Sequence, residues 1–401
     1  MTSVETTARI SNISAAKAGY TALALYCLAH FVIDLYSSAL SSFQPLLGSK
    51  LGLSLQQAGW LGGIYIFSSS LLQPLYGMLS DRFQTRMFTA LAPAVAGVFI
   101  SMLGVTNSYG VLLLLVVLGG VGIASFHPQA SARATLGLES GKQKWFAVFI
   151  SSGTLGYALG PSFFSAALGY VPLESSWYTG ILGLLMTAIL LVWLPEANGS
   201  AGARKTGSDW AALRAVRKPL AILYALVFIR SIVQVTFAQM LPLYLFRERH
   251  YTYAESTHGL TLYLTAGAIG GFIGGNLADR FGGKRVIAAS MIGCVPFLAL
   301  FFWTSGWLSL AGLAMGGFML LFTIPVNVVM GQKLVPAQAG TISALMMGFA
   351  WGLAGLIFVP LTGWVADHTS LAQALAGLIA FPLLGFLLAL LLPADHEASH
   401  V

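Results

Sequence analysis

One carboxylate stands alone in the apolar stretches of this 401-residue chain. Of its 13 acidic residues, only Asp34 lies deep inside such a stretch. A charged side chain there costs roughly 2.5–3.5 kcal/mol near a bilayer centre, so Asp34 persists only by facing a partner or a watery cavity. His30, four residues earlier, shares its helical face, and Ser37, Ser38 and Ser41 extend the polar stripe. Two further ionisable groups interrupt apolar stretches: His127, a side chain that ordinarily titrates near pH ~6.5 and so suits proton exchange, and Arg230. Gln234, one turn beyond Arg230, and Asn327 add neutral hydrogen-bonding groups. Together these residues read as a proton-coupling and solute-binding set. Each also has a plainer use. Asp34 and Arg230 can form a static ion pair, His30 can bond a neighbouring helix, and His127 can satisfy backbone groups beside Pro128.

The elements that position them follow from composition. Charged residues make up 8% of the chain and hydrophobic residues 57%, against roughly 25% charged in an ordinary soluble protein. Too little polar surface is available to coat a soluble globule of this size, so the chain is expected to be an all-α polytopic membrane protein. Apolar runs place six spans at 19–46, 55–79, 87–106, 109–136, 144–170 and 175–194. Six more fall at 219–246, 255–278, 285–304, 307–334, 337–364 and 369–392. The runs are too long for strands and lack period-two alternation. The 45 glycines suit close helix packing in a membrane. Residues 1–17 are polar, and no cleavable signal follows the first run, which is expected to remain as a helix. Cys27 and Cys294 both fall in apolar runs and carry no compartment signal.

The net charge of +7 points to no nucleic-acid partner, because the basic residues sit in short loops and act as topology signals. Arg82, Arg86, Arg133, Lys142, Lys144, Arg280, Lys284, Arg285 and Lys333 fall on one side. Lys50, Arg247 and Arg249 fall on the other. The bias predicts a multi-pass protein of the cell (inner) membrane with both termini cytoplasmic. The long basic segment 195–218 divides an N-terminal six-helix bundle, 1–194, from a C-terminal one, 219–401. Its part from Trp210 to Lys218 reads as a helix lying on the membrane surface or as a plain linker. The halves repeat: Gly77, Asp81, Arg82 and Phe83 recur 198 residues later as Gly275, Asp279, Arg280 and Phe281. Pro45 and Pro128 recur 197 residues later as Pro242 and Pro325.

The paired loops resemble the signature loop of the major facilitator superfamily, the second copy more closely through Gly282 and Lys284. The first departs at Gln84 and Thr85. The resemblance implies two pseudo-symmetric six-helix bundles, with spans one, four, seven and ten lining a central cavity in which Asp34, His127 and Arg230 face one another. Asp81, Arg82, Asp279 and Arg280 then act as gate latches, or else only set topology, and Arg133 joins the inner gate. His30-Phe-Val-Ile-Asp34 and Phe126-His127-Pro128-Gln129 are similar to segments of the fosmidomycin-resistance type of efflux transporter, which commonly has an acid where this chain has Gln129. Gly156, Gly160 and Pro161 resemble the core of the drug–proton antiporter motif. In that reading the glycines admit close contact with the opposite half and Pro161 bends the helix. The alternative is ordinary small-residue packing.

Sequence signatures of enzymes are missing: no His-Glu-x-x-His metal cluster, phosphate-cradling loop or nucleophile elbow occurs. The expectation is a non-enzyme without metal or cofactor. With no nucleotide site, uphill work must come from an ion gradient. The leading expectation is a monomeric, proton-coupled exporter of a small organic or drug-like molecule, with protons, substrate and the lipid bilayer as its partners. A proton-coupled importer or facilitator for an anionic metabolite is the alternative. A non-transporting sensor or scaffold is the remote one.

Overall fold

The computed structural model of the protein describes residues 3–83, 85–138, 140–195, 214–338 and 342–393, and the side chains of 3–17, Asp81 and Ala337 are not among those described. Most of the central segment 195–218, including the surface-helix expectation from Trp210, therefore lies outside the described residues. No strand occurs among them.

Twelve helical spans form two six-helix bundles. In the first half they are α1 (Ala18–Leu51), α2 (Leu55–Leu71, continued as Gln73–Phe83), α3 (Met87–Gly104), α4 (Tyr109–Arg133), α5 (Lys142–Leu168) and α6 (Leu173–Trp193). In the second they are α7 (Arg217–Arg247), α8 (Tyr253–Phe281), α9 (Gly283–Trp303), α10 (Gly306–Leu334), α11 (Ala344–His368) and α12 (Leu371–Leu390). Ten of these are long and apolar enough to cross a membrane. The other two, α2 and α5, carry the polar load of the junction between the halves. Ser68, Ser69 and Ser70 of α2 are buried, and α2 packs along α11 while α5 packs along α8.

Each bundle has its own aromatic core. Tyr36, Phe43, Tyr65, Phe126, Phe149 and Phe164 fill the first. Phe237, Tyr263 and Phe301 anchor the second, which also takes in Leu55, Ala58 and Ile66 of α2 and Ala158 of α5. Exposed tryptophans at 177, 303 and 307 ring the end that charge counting assigns to the outside, the level at which amphipathic aromatics settle in a bilayer.

The internal repeat extends to helix ends. Arg86 donates to the carbonyls of Leu191 and Leu194 at the end of α6, and Lys284 donates to the Leu392 carbonyl just past α12. Arg86 and Lys284, like Leu194 and Leu392, are 198 positions apart. A cation at a helix C-terminus neutralises the negative end of its dipole. Gly77 lies against Pro128 and Gly275 against Pro325, each at the distance of an ordinary van der Waals contact for an added Cβ. The landmarks of the repeat thus touch one another in both halves.

The halves are closed against each other at the end that charge counting assigns to the outside. A Cβ on Gly363 of α11 would lie 2.2 Å from the Leu55 carbonyl oxygen, so only glycine admits this approach. The Asp367 carboxylate accepts from the Leu55 and Gln56 backbone N–H groups, both at 2.8 Å, and so caps the start of α2 from across the junction. Ser162 of α5 donates to the Thr261 hydroxyl of α8 at 2.8 Å, and Arg247 reaches the Leu53 carbonyl at 3.3 Å. The Asp367→Asn variant keeps one acceptor and loses the charge. Its ratio of outer-closed to outer-open molecules should fall roughly tenfold, the effect of about 1.4 kcal/mol. Double electron–electron resonance between labels at Ser54 and Thr369 would then show a second, longer distance. An unchanged distribution would deny Asp367 any latching role.

Candidate functional site

The polar stripe of α1 is a product of helical spacing. His30 and Asp34 stand one turn apart, and Ser37 Oγ comes within 3.3 Å of Asp34 Oδ1 while also lying 3.1 Å from the Ile33 carbonyl. His30 Nε2 is 3.3 Å from Asp34 Oδ2. From α4, His127 Nε2 comes to 3.1 Å from Asp34 Oδ1. The carboxylate therefore sits between two imidazoles, one from its own helix and one from 93 positions away.

Both rings are held from behind. His30 Nδ1 is 2.8 Å from the Phe149 carbonyl of α5, and His127 Nδ1 is 2.9 Å from the Ile123 carbonyl one turn back on α4. A carbonyl oxygen only accepts, so each Nδ1 carries a proton. That assignment leaves each Nε2 facing a carboxylate oxygen. A bare Nε2 is an acceptor and would repel it, so each of the two contacts needs a bridging proton. With both in place the trio has a net charge of +1, with one it is neutral, and with none it is a buried anion facing two lone pairs. The two histidines are not equivalent. His30 stacks on Phe149 at 4.3 Å between centroids and its side chain is 6% exposed. His127 and Asp34 are 21% and 16% exposed, so the wet side of the trio is that of α4.

Three ligand-type atoms within 4.8 Å of one another are also enough to surround a cation. Two direct nitrogen–oxygen contacts already pair them. Tyr65 of α2 and Tyr157 of α5 lie within electrostatic reach of Asp34, and Tyr263 of α8 within reach of both Tyr157 and Arg230.

Arg230 is not the partner of Asp34 in this structure. Its side chain turns into its own half, donating to Gln234 Oε1 at 2.5 Å and to Ser231 Oγ at 3.3 Å, while Nε has no partner. The i to i+4 spacing of Arg230 and Gln234 makes this pairing local, and Asp34 is already satisfied by histidines. Asn327 of α10 is fully buried with neither amide atom paired, and the Tyr263 hydroxyl is likewise unpartnered. Arg230 meets no carboxylate among the described residues.

Gly156 and Gly160 also differ from the expectation. A Cβ on either would meet α1, at the Phe31 carbonyl (2.1 Å) and Ser38 Oγ (2.1 Å). They serve packing within one half, because the small-residue face of α5 points at α1, while Tyr157, Ala158 and Ser162 of α5 make contacts with the other half. The Pro161 carbonyl accepts from Ser42 of α1 at 3.3 Å.

Of the loop residues, Arg82 and Arg280 stack on Phe83 and Phe281 at 5.7 and 5.2 Å. Asp279 is exposed, with no partner among the described residues. Arg133 ends α4 within electrostatic reach of Tyr26. The side chain of Asp81 lies outside the described set.

Three residues do work that their sequence context does not signal. Asp367, between two apolar runs, caps the start of α2 across the junction. Gln129 ties the loop before α3 together through Ser80, Thr85 and Thr89. Gly153 makes room for His30: a Cβ there would lie 2.3 Å from His30 Nε2, the atom that faces Asp34. Gly153→Ala should therefore displace the ring and destabilise the protein by about 1–3 kcal/mol. Thermal unfolding in detergent and the imidazole nitrogen resonances would read both effects. An unchanged unfolding temperature and spectrum would mean that the ring is not wedged.

A sequence profile of the Major Facilitator Superfamily matches residues 26–358 and 240–401. The chain is 27% identical over 392 residues to the fosmidomycin resistance protein of Escherichia coli, covering 95% of each. It is 28% identical over 393 residues to an uncharacterised transporter of the same superfamily from Bacillus subtilis, covering 94% of each. In fold it resembles a bacterial homologue of the human lysosomal transporter Spinster, solved in an inward-facing, unoccupied conformation. The TM-score is 0.79 at 16% identity, over 94% of this chain and 97% of that one. With the profile spanning nearly its whole length, this twelve-helix chain belongs to the Major Facilitator Superfamily.

Proposed function

We propose that the protein is a proton-coupled secondary transporter of the inner membrane that exports a small organic molecule, with the His30–Asp34–His127 trio as its proton site. The observation that carries this reading is the pair of Nε2–Oδ contacts at 3.3 and 3.1 Å, each needing a proton, in a trio whose histidines are pinned at Nδ1. The likeness to a fosmidomycin resistance protein supports export.

In this reading both termini are cytoplasmic, and closure at the outer end fits the inward-facing state. Segments 1–194 and 219–401 rock as bodies joined by 195–218, and the chain works as a monomer. The exposed Asp279 fits a cytoplasmic gate whose latches are released; in the outward-facing state it and Asp81 would cap neighbouring helix starts.

The trio links protonation to shape. Two bridging protons draw α4 onto α1. Loss of one leaves a carboxylate oxygen facing a bare nitrogen, and that contact opens. His30 cannot yield, wedged between Phe149 and Gly153, so His127 moves and α4 shifts with it. Substrate arriving from the cytoplasm then exchanges for protons, and the outward-facing state takes them up again from the outside.

Asp34→Asn cannot hold a negative charge between the imidazoles. In liposomes it should abolish flux driven by a pH gradient while sparing substrate exchange across equal pH. Coupled flux at the parent rate would remove Asp34 as the proton carrier.

A second reading concerns the substrate's charge. Arg230 is a buried cation without a carboxylate, and leaving such a group uncompensated costs several kcal/mol. An anionic group on the substrate would compensate it, with Asn327 and Tyr263 as further donors. Arg230→Ala should weaken binding of an anionic substrate about 10–100-fold, as expected for losing a charged hydrogen bond, and leave a neutral one unaffected. Equal losses for both would contradict this.

A further inference from the structure

The two halves treat the same place differently. In the first, Gln129 bridges the loop between α2 and α3. Its Nε2 donates to Ser80 Oγ at 2.8 Å and to the Thr85 carbonyl at 2.5 Å, while its Oε1 accepts from the Thr89 N–H and hydroxyl at 3.0 and 2.7 Å. Under the repeat, the counterparts of Ser80, Thr85, Thr89 and Gln129 are Ala278, Gly283, Ile287 and Val326. None of these has a polar side chain, so the second half cannot build the bridge.

In its place lies a cavity of about 1040 Å³, lined by Ala278, Gly283 and Val326 themselves. Leu223 and Ala288 extend its apolar wall. Around it stand Arg280, Lys284, Arg285 and Lys333, with Asp279 as the one acid of the lining. Two of the cations are additions to the repeat, for Arg285 replaces Met87 and Lys333 replaces Leu136. Both are exposed. Phe272 and Phe281, which also line the cavity, are exposed as well, at 76% and 49%.

We propose that this cavity binds one anionic phospholipid from the leaflet at this end of the bundle, with its phosphate among Arg280, Arg285 and Lys333 and its upper acyl chain against Leu223, Ala288 and Val326. An apolar wall beneath a rim of three net positive charges matches an amphiphilic anion. Basic pockets between membrane helices take such headgroups, each nearby Lys or Arg strengthening the attraction. A free phosphate would use the rim and leave the wall unused. The lipid would do for the α8–α9 loop what Gln129 does for the α2–α3 loop, holding a segment that carries Asp279 and Arg280. The inference stands apart from the transport reading, since it needs neither protons nor substrate.

The test is native mass spectrometry of the delipidated full chain, titrated with phosphatidylglycerol or phosphatidylcholine in detergent. One phosphatidylglycerol should be retained in preference to phosphatidylcholine. The Arg285→Gln, Lys333→Gln double variant should lose that preference by roughly thirty-fold, the loss expected of two cations. Ala288→Phe, which fills the apolar wall and keeps every charge, should lower retention too, and millimolar inorganic phosphate should not displace the lipid. Helical content and unfolding temperature verify that the variants fold, and the charge variant decides the matter should Ala288→Phe fail to. Equal retention of the two lipids, retention unchanged in the double variant, or displacement by phosphate alone would each overturn the proposal.

Discussion

A carboxylate buried among apolar helices must be paid for by its neighbours, and here two imidazoles do so from opposite sides. Their outer nitrogens are committed to backbone carbonyls of α4 and α5, which fixes which nitrogen faces Asp34. Much of the first half is arranged around that commitment. Gly153 leaves space for one ring, Phe149 stacks on it, and the small face of α5 lets α1 lie close enough for the Phe149 carbonyl to be reached. Under the proposed function, gain or loss of a proton at the trio would change how α1 and α4 sit together.

The second half solves a different problem with the same plan. Repeat positions that carry structure recur: the glycine–proline contacts and the cations that close the last helix of each bundle. Positions that carry chemistry diverge. The shift that pairs the prolines sets Arg230 opposite Ile33, beside Asp34, so one half has a carboxylate at that depth and the other a guanidinium. Duplication supplied the scaffold, and the division of charge between its copies gives the two halves separate tasks.

The spans were legible because hydropathy is a local property, and the repeat was legible because its landmarks are rigid residues at loops and kinks. Asp34, His30, His127 and Arg230 were legible as residues out of place in apolar runs. Their pairing was not. Depth along the membrane put Arg230 level with Asp34, but which side of α7 the guanidinium takes depends on packing, and Gln234 captures it. The glycines of α5 showed a small face without showing which helix it met. Asp367 gave no signal at all, because its partners are backbone N–H groups of α2 some 311 positions away, and backbone donors look alike in every sequence.

On the proposed function, protons shared by Asp34 with its two histidines hold the outer-closed shape. The decisive measurement is the distance across the outer end, between labels at Ser54 and Thr369 flanking α2 and α11, as pH is varied without substrate. Acid should favour the short distance in the parent, because both contacts of the trio need their protons, and Asp34→Asn should remove the pH dependence. A pH-independent distance in the parent, or an unchanged dependence in Asp34→Asn, would contradict it.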